Sequence, residues 1–238
     1  VQAALTELSL MSEQSPEDFD LLFIRAQLAY RDNRLLQAQR LLEEYVSVQS
    51  QRQASMASGA TDAGAALADA FTLLARIAQD QGSPDRAVEF LGRIDDPGAR
   101  YSARLRQASI RAEQGRVDEA IRMIDALQAA DEDEQLIGVL TMSQILRQAK
   151  RNEQAIERLE KANQALPDSV EIQYELAMLL EQQSRFDEME TYLRAVIALD
   201  LGYAHAYNAL GYSLADRGVR LGEAYELIAR AHQILPED

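Results

Sequence analysis

The side chains of this chain that could carry out chemistry are few and badly spaced for it. His205 and His232 stand 27 residues apart, and neither has a second His or any Cys at ligand spacing, which a zinc site would need. Asp131-Glu132-Asp133-Glu134 could attract a divalent cation, but it lacks the Asp-x-Asp-x-Asp-Gly loop that wraps calcium. Acids placed just before a helix stabilise its N-terminus, and that accounts for the run. Gly211-Tyr212-Ser213-Leu214-Ala215 has the outline of a nucleophile elbow. Its surroundings read as helix, whereas the elbow needs a sharp strand-to-helix turn to expose and activate its serine. With no cysteine there is no thiolate nucleophile and no disulfide, and no glycine-rich phosphate loop is present. The chain therefore reads as a non-enzyme with no catalytic residues, metal or cofactor.

The elements that would position any site follow from composition. Ala, Leu, Gln, Glu and Arg abound and prolines number five, which favours helix throughout. Lys and Arg total 24 against 39 Asp and Glu, a formal charge of -15. Such a surface repels phosphate backbones, so no nucleic-acid partner is expected. No uninterrupted apolar run approaches the roughly 20 residues that span a bilayer, so this segment is not expected to insert into a membrane. Lys150 and Lys161 are the only lysines, and nearly all the positive charge is arginine.

A fixed pattern recurs along the whole chain: a small residue, an apolar residue four later, and another three beyond that. The sets begin at Ala4, Ala38, Ala87, Ala120, Ala155, Met189 and Ala224, separated by 34, 49, 33, 35, 34 and 35 residues. Offsets of four and seven lie on one helical face, and a period near 34 is that of a helix-turn-helix unit. About twelve residues before six of these stands another small residue, Ala26, Ala75, Ala108, Ser143, Ala177 or Gly211, so that two antiparallel helices can approach closely. Between them lie Asn33, Gly82, Gly115 and Gly218, which tolerate the left-handed backbone of a helix C-terminus.

This pattern resembles the tetratricopeptide repeat (TPR). The final unit matches best, with Tyr207, Leu210, Gly211, Leu214, Ala224, Ile228, Ala231 and Pro236 at the family's positions and one extra residue in its turn. Elsewhere Arg104 and Gln107 occupy an aromatic and a leucine position, and Met189 replaces the usual alanine. The resemblance implies an all-α TPR solenoid, a right-handed superhelix of antiparallel helix pairs forming a single domain over 1–238. Complete repeats are expected at 19–52, 68–100, 101–135, 136–169, 170–203 and 204–238. Residues 1–18 read as the second helix of a truncated repeat, and the segment as a piece of a longer protein, because a solenoid ordinarily ends in polar capping repeats. The insert at 53–67, rich in Ala, Ser and Gly, is expected to prolong a helix and then form a mobile loop.

In a TPR solenoid the first helix of each pair lines a concave groove through positions 2, 5, 6, 9, 12 and 13 of the repeat. Those positions hold Asp20, Phe23, Ile24, Gln27, Tyr30 and Arg31 in the first repeat and Asp69, Thr72, Leu73, Arg76, Gln79 and Asp80 in the second. Leu105, Arg106, Arg147, Tyr174 and Tyr212 are among those that follow. The expected partner-binding groove is thus Phe23, Tyr30, Arg76, Arg106, Arg147, Tyr174 and Tyr212. Its arginines would hold carboxylates and its aromatics would supply rigid apolar area. Glu171, Glu175 and Glu181 make the fifth repeat's wall acidic. The groove type that grips chaperone tails uses a lysine at position 5, where this chain has Phe23, Thr72, Leu105, Leu140, Tyr174 and Asn208. Chaperone-tail recognition is therefore disfavoured.

The stretch LGYSLADRGVRLGEAYELI also resembles the large TPR envelope lipoproteins of beta- and gamma-proteobacteria. That implies a periplasmic protein tethered to the outer membrane through an upstream part, with a cytoplasmic location as the alternative. It also implies an adaptor for protein or peptide partners, a carboxyl-terminal processing protease among them. The competing expectation is a structural scaffold that forms homo-oligomers through its open ends.

Overall fold

The computed structural model describes residues 20–55 and 61–236, and these form twelve helices with no strand among them. The chain divides into two compact units, Val1–Gln128 and Ala129–Asp238. In the N-terminal unit the helices are α1 (Asp20–Arg31), α2 (Leu35–Ser55), α3 (Thr61–Asp80), α4 (Pro84–Gly92), α5 (Pro97–Glu113) and α6 (Val117–Asp125). In the C-terminal unit they are α7 (Glu132–Gln148), α8 (Asn152–Ala165), α9 (Val170–Gln182), α10 (Phe186–Leu199), α11 (Ala204–Asp216) and α12 (Leu221–Ile234). Within each unit an odd-numbered helix pairs with the even-numbered helix that follows it, and each pair packs on the next.

The small residues sit at the contacts between paired helices. Ala26, Ala38, Ala75, Ala87, Ala108, Ala120, Ser143, Ala155 and Ala177 are all fully buried. Met189 is also fully buried, so its longer, flexible side chain fills the place of the usual alanine. At Gly211 an added Cβ would stand 2.8 Å from Ile228 Cγ1 and 3.0 Å from the Ala224 carbonyl oxygen, a separation that only glycine permits. The set that begins at Ala4 lies outside the described residues.

One device joins the two helices of every pair. A left-handed residue follows the first helix: Asn33, Gly82, Gly115, Lys150, Ser184 or Gly218, with φ between 57° and 80°. Its N–H donates to the carbonyl three residues back and the next N–H to the carbonyl five back, as in Gly115 to Ala112 and Arg116 to Arg111. This closes the helix C-terminus. Sequence pattern identifies four of the six. Lys150 and Ser184 carry a Cβ in the same conformation, held there by the same pair of hydrogen bonds. The last turn's extra residue is Arg220, also left-handed at φ 49°.

One expectation about the chain's course needs correction. Residues 53–55 belong to α2, and α3 starts at Thr61, seven residues before the expected start of the second repeat at 68. The insert 53–67 is therefore helical at both ends, because Ala66, Leu67 and Ala68 begin the apolar face by which α3 enters the core; residues 56–60 lie outside the described ones. Arg104 and Gln107 stand at apolar positions of the repeat. Their side chains bond to carbonyls in the middle and at the end of the nine-residue helix α4. Gln107 Nε2 donates to the Val88 carbonyl at 2.6 Å, Arg104 Nη2 to the Gly92 carbonyl at 3.3 Å, and Arg104 Nη1 to Gln107 Oε1 at 2.9 Å.

Candidate functional site

In the N-terminal unit, α1 and α3 form the two walls of a cleft of about 600 Å³. Each is the first helix of its pair, and equal spacing from the repeat turn brings equivalent faces side by side. The floor is apolar, made by Phe23, Ile24 and Leu73; Gln27, Thr72, Asp69, Arg31, Tyr30 and Arg76 surround it. Nine residues at the expected groove positions of the first two repeats thus line one cavity. Phe23 is half-buried, its ring 5.3 Å from the buried Tyr45 of α2, so it is as much core as wall. Leu73 is largely buried in the floor, and Leu105, also expected to face the groove, is buried.

Tyr30 organises the polar end of the cleft. Its hydroxyl donates to Asp80 Oδ2 at 2.7 Å, and the Arg76 guanidinium stands over its ring at 5.6 Å. The bond to Asp80, followed by partial burial, holds the phenol above its ordinary pKa, so it remains a neutral donor. Beyond the cleft, Arg106 Nη2 donates to Gln79 Oε1 at 3.0 Å.

The C-terminal unit treats the same positions differently. Arg147 of α7 is ion-paired with Glu175 of α9 at 3.2 Å, and the same Glu175 oxygen accepts from Ser143 Oγ at 3.1 Å. Its charge is compensated, which the sequence did not indicate. Tyr174 packs edge-on against Tyr203 at 5.3 Å, and Tyr203 lies 5.9 Å from the His205 ring. Burial, then the neighbouring Tyr203 and the carboxylates of Glu181 and Glu175, raise the Tyr174 pKa. Glu181 is also raised, first by burial and then by the charge of Asp216. Tyr212 stands apart from this cluster and is 64% exposed. Tyr203 escaped the positional rule because it precedes its helix; an aromatic residue just before α11 was the available signal.

The features with catalytic outlines resolve into structure. Asp131 caps α7 by accepting from the Glu134 N–H at 2.8 Å, and Glu134 in turn accepts from the Ala130 N–H at 2.8 Å. Ser213 is buried within α11. Among the described residues no group of three or more His, Asp or Glu side chains is placed to hold a metal ion, and no helix is long and apolar enough to cross a membrane.

Residues 170–203, the α9–α10 pair, match the tetratricopeptide repeat family. The α9–α10 pair thus carries a tetratricopeptide repeat. Over 165 residues, 69% of its length, the chain is 34% identical to the TPR repeat-containing protein PA4667 of Pseudomonas aeruginosa, and it spans 28% of that relative's length. Among solved structures its fold is similar to that of MamA, with a TM-score of 0.52 and 15% identity over 69% of this chain and 95% of that one. A form of MamA beginning at residue 41, from Desulfovibrio magneticus RS-1, gives a TM-score of 0.52 and 14% identity over 72% and 97%. These structures share the all-helical fold of this chain and resemble it as TPR solenoids.

Proposed function

We propose that this chain is a non-enzymatic adaptor that holds protein segments along the first-helix faces of its pairs. Phe23, Tyr30, Arg76 and Arg106 serve in the N-terminal unit, and Arg147, Tyr174 and Tyr212 in the C-terminal unit. The observation that carries this reading is the α1–α3 cleft, where an apolar floor is ringed by a few polar groups, as in sites that bind by burying a ligand's apolar surface. A photoreactive residue placed at Gln27, in the cleft, is expected to crosslink to partner protein in cells, while one at Glu157 on the exposed face of α8 is not. The reverse pattern would place binding on the second helices and overturn the proposal.

The resemblance of the last repeat to envelope lipoproteins extends the proposal to the periplasm and to presentation of substrates to a carboxyl-terminal processing protease. Fractionation of the full-length protein, and its co-elution with such a purified protease, test those two extensions separately.

A second reading, self-assembly, is favoured by one specific observation. Ile228 of α12 is 37% exposed, whereas Leu42, Leu91, Ile124, Leu159 and Leu193 at the same position of the other repeats are at most 8% exposed. Leu221, Tyr225 and Leu235 extend that exposed stripe. Sedimentation over a range of concentrations decides it: a mass that rises with concentration and falls back in Tyr225→Glu supports assembly, and a constant monomer mass overturns it.

A further inference from the structure

The α1–α3 cleft has a polarity that specifies its occupant more closely than the adaptor reading requires. Asp69 and Arg76 lie seven residues apart on α3, about 10.5 Å along the helix axis at 1.5 Å per residue. The exposed Arg31 ends α1 on the same side as Arg76. Among the described residues Arg31 and Asp69 enter no ion pair, so both charges are open to an outside group. Arg76 is held over the Tyr30 ring, and Tyr30 is itself tied to Asp80, so this guanidinium is oriented before any partner arrives. Between the two poles lies the apolar floor of Phe23, Ile24 and Leu73.

We infer that the cleft takes an internal, extended segment of a partner protein with an acidic side chain, an apolar side chain next to it, and a basic side chain about three residues from the acid. Three residues of extended chain cover roughly 10 Å, which matches the separation of the poles. The acid meets Arg31 and Arg76, where a planar guanidinium holds a carboxylate through two hydrogen bonds. The apolar side chain fills the floor, and the basic one meets Asp69. Charge complementarity points to this occupant: Arg31 and Arg76 set a local positive end against the chain's net charge of -15, and Asp69 a negative one. The inference rests on the adaptor reading and narrows it.

The test is selection of random peptides by the whole chain from two libraries, one displaying peptides as internal loops and one with free carboxyl termini. Wild-type protein is expected to enrich loop peptides with the acid-apolar-base pattern. Arg31→Glu/Arg76→Glu is expected to enrich a base where the acid stood. For the best loop peptide, Arg31→Ala/Arg76→Ala should weaken binding about tenfold or more, as loss of charge-assisted hydrogen bonds does. Asp69→Asn should weaken it less, with unchanged helicity in each variant showing that folding is intact. Enriched loop peptides without an acid, or with a pattern that survives the charge reversal, would overturn the inference and leave the adaptor reading standing. Enrichment from the free-terminus library alone would assign the cleft to chain ends and overturn the internal segment. No enrichment from either library would remove both readings.

Discussion

The two units share one frame and differ in what they do with charge on it. In both, small residues bring paired helices together and a left-handed residue closes each first helix. In the N-terminal unit Arg31 and Arg76 border an open cleft, whereas in the C-terminal unit Arg147 is bound to Glu175, and Glu181 lies near enough to Asp216 to be raised by its charge. The second helices differ as well. In the N-terminal unit they range from 21 residues (α2) to nine (α4 and α6), while α8, α10 and α12 have fourteen each, and in the C-terminal unit Glu190 and Glu223 form a network with Arg194 and Arg220 that joins α10 to α12. A repeat thus determines where side chains stand, and partner chemistry is set by which neighbours they meet.

The shared frame is tested most severely at the helix contacts. Ala87→Leu and Ala155→Leu, one in each unit, should each cost about 1–3 kcal/mol by overpacking a fully buried site. Thermal melts showing a loss in only one unit would break the equivalence of the two frames.

Gln107→Leu restores the family's usual residue, yet it should destabilise the N-terminal unit by about 1–3 kcal/mol. The substitution removes the buried hydrogen bond to the Val88 carbonyl and takes the Gln107 acceptor away from Arg104 Nη1. Stability equal to or above wild type would show that α4 does not need this polar support.

Glu190 is the counterpart device of the C-terminal unit. Hydrogen bonds from Arg220, then those from Arg194, lower its pKa from 4.5 to about 2. A lowered carboxylate contributes its full stability above about 4.5 and loses it as pH falls towards about 2. Because both arginines are 44–47% exposed, the contribution is discounted to about 1–2 kcal/mol. Glu190→Gln should therefore lose about that much at neutral pH and flatten the acid limb of a denaturation series. Asp85, paired with Arg111 in the N-terminal unit, is open to solvent, and Asp85→Asn should leave that limb nearly unchanged.

The turns offer a smaller contrast. Lys150→Gly should stabilise the C-terminal unit by roughly 0.5–1 kcal/mol, because glycine adopts positive φ without steric cost; Gly115→Ala should destabilise the N-terminal unit by a similar amount. Chemical denaturation curves moving in the same direction for both would contradict the left-handed assignment. The smallest effect is expected from Arg147→Ala on capture of an acidic segment, because Glu175 already occupies that charge. A loss in measured affinity as large as that of Arg76→Ala would erase the electrostatic difference between the units.

The sequence by itself determined the repeat period, the helical class and, among the described residues, the small residues at the contacts of paired helices and four of the six left-handed turns. All of these follow from local propensity and from spacing along one helix. It also placed the groove positions, so that nine of them are found around one cleft. Tertiary structure decided which of those positions are open. Arg147 and Glu175 are 28 residues apart, and whether they meet depends on how α7 and α9 stack, which no periodicity within a single helix encodes. The same holds for Gln107, whose polar side chain is out of place in the repeat until packing sets it against the Val88 carbonyl, 19 residues away in sequence. Periodicity assigns a face to each side chain, while its partner is fixed by the packing of helices some thirty residues apart in sequence.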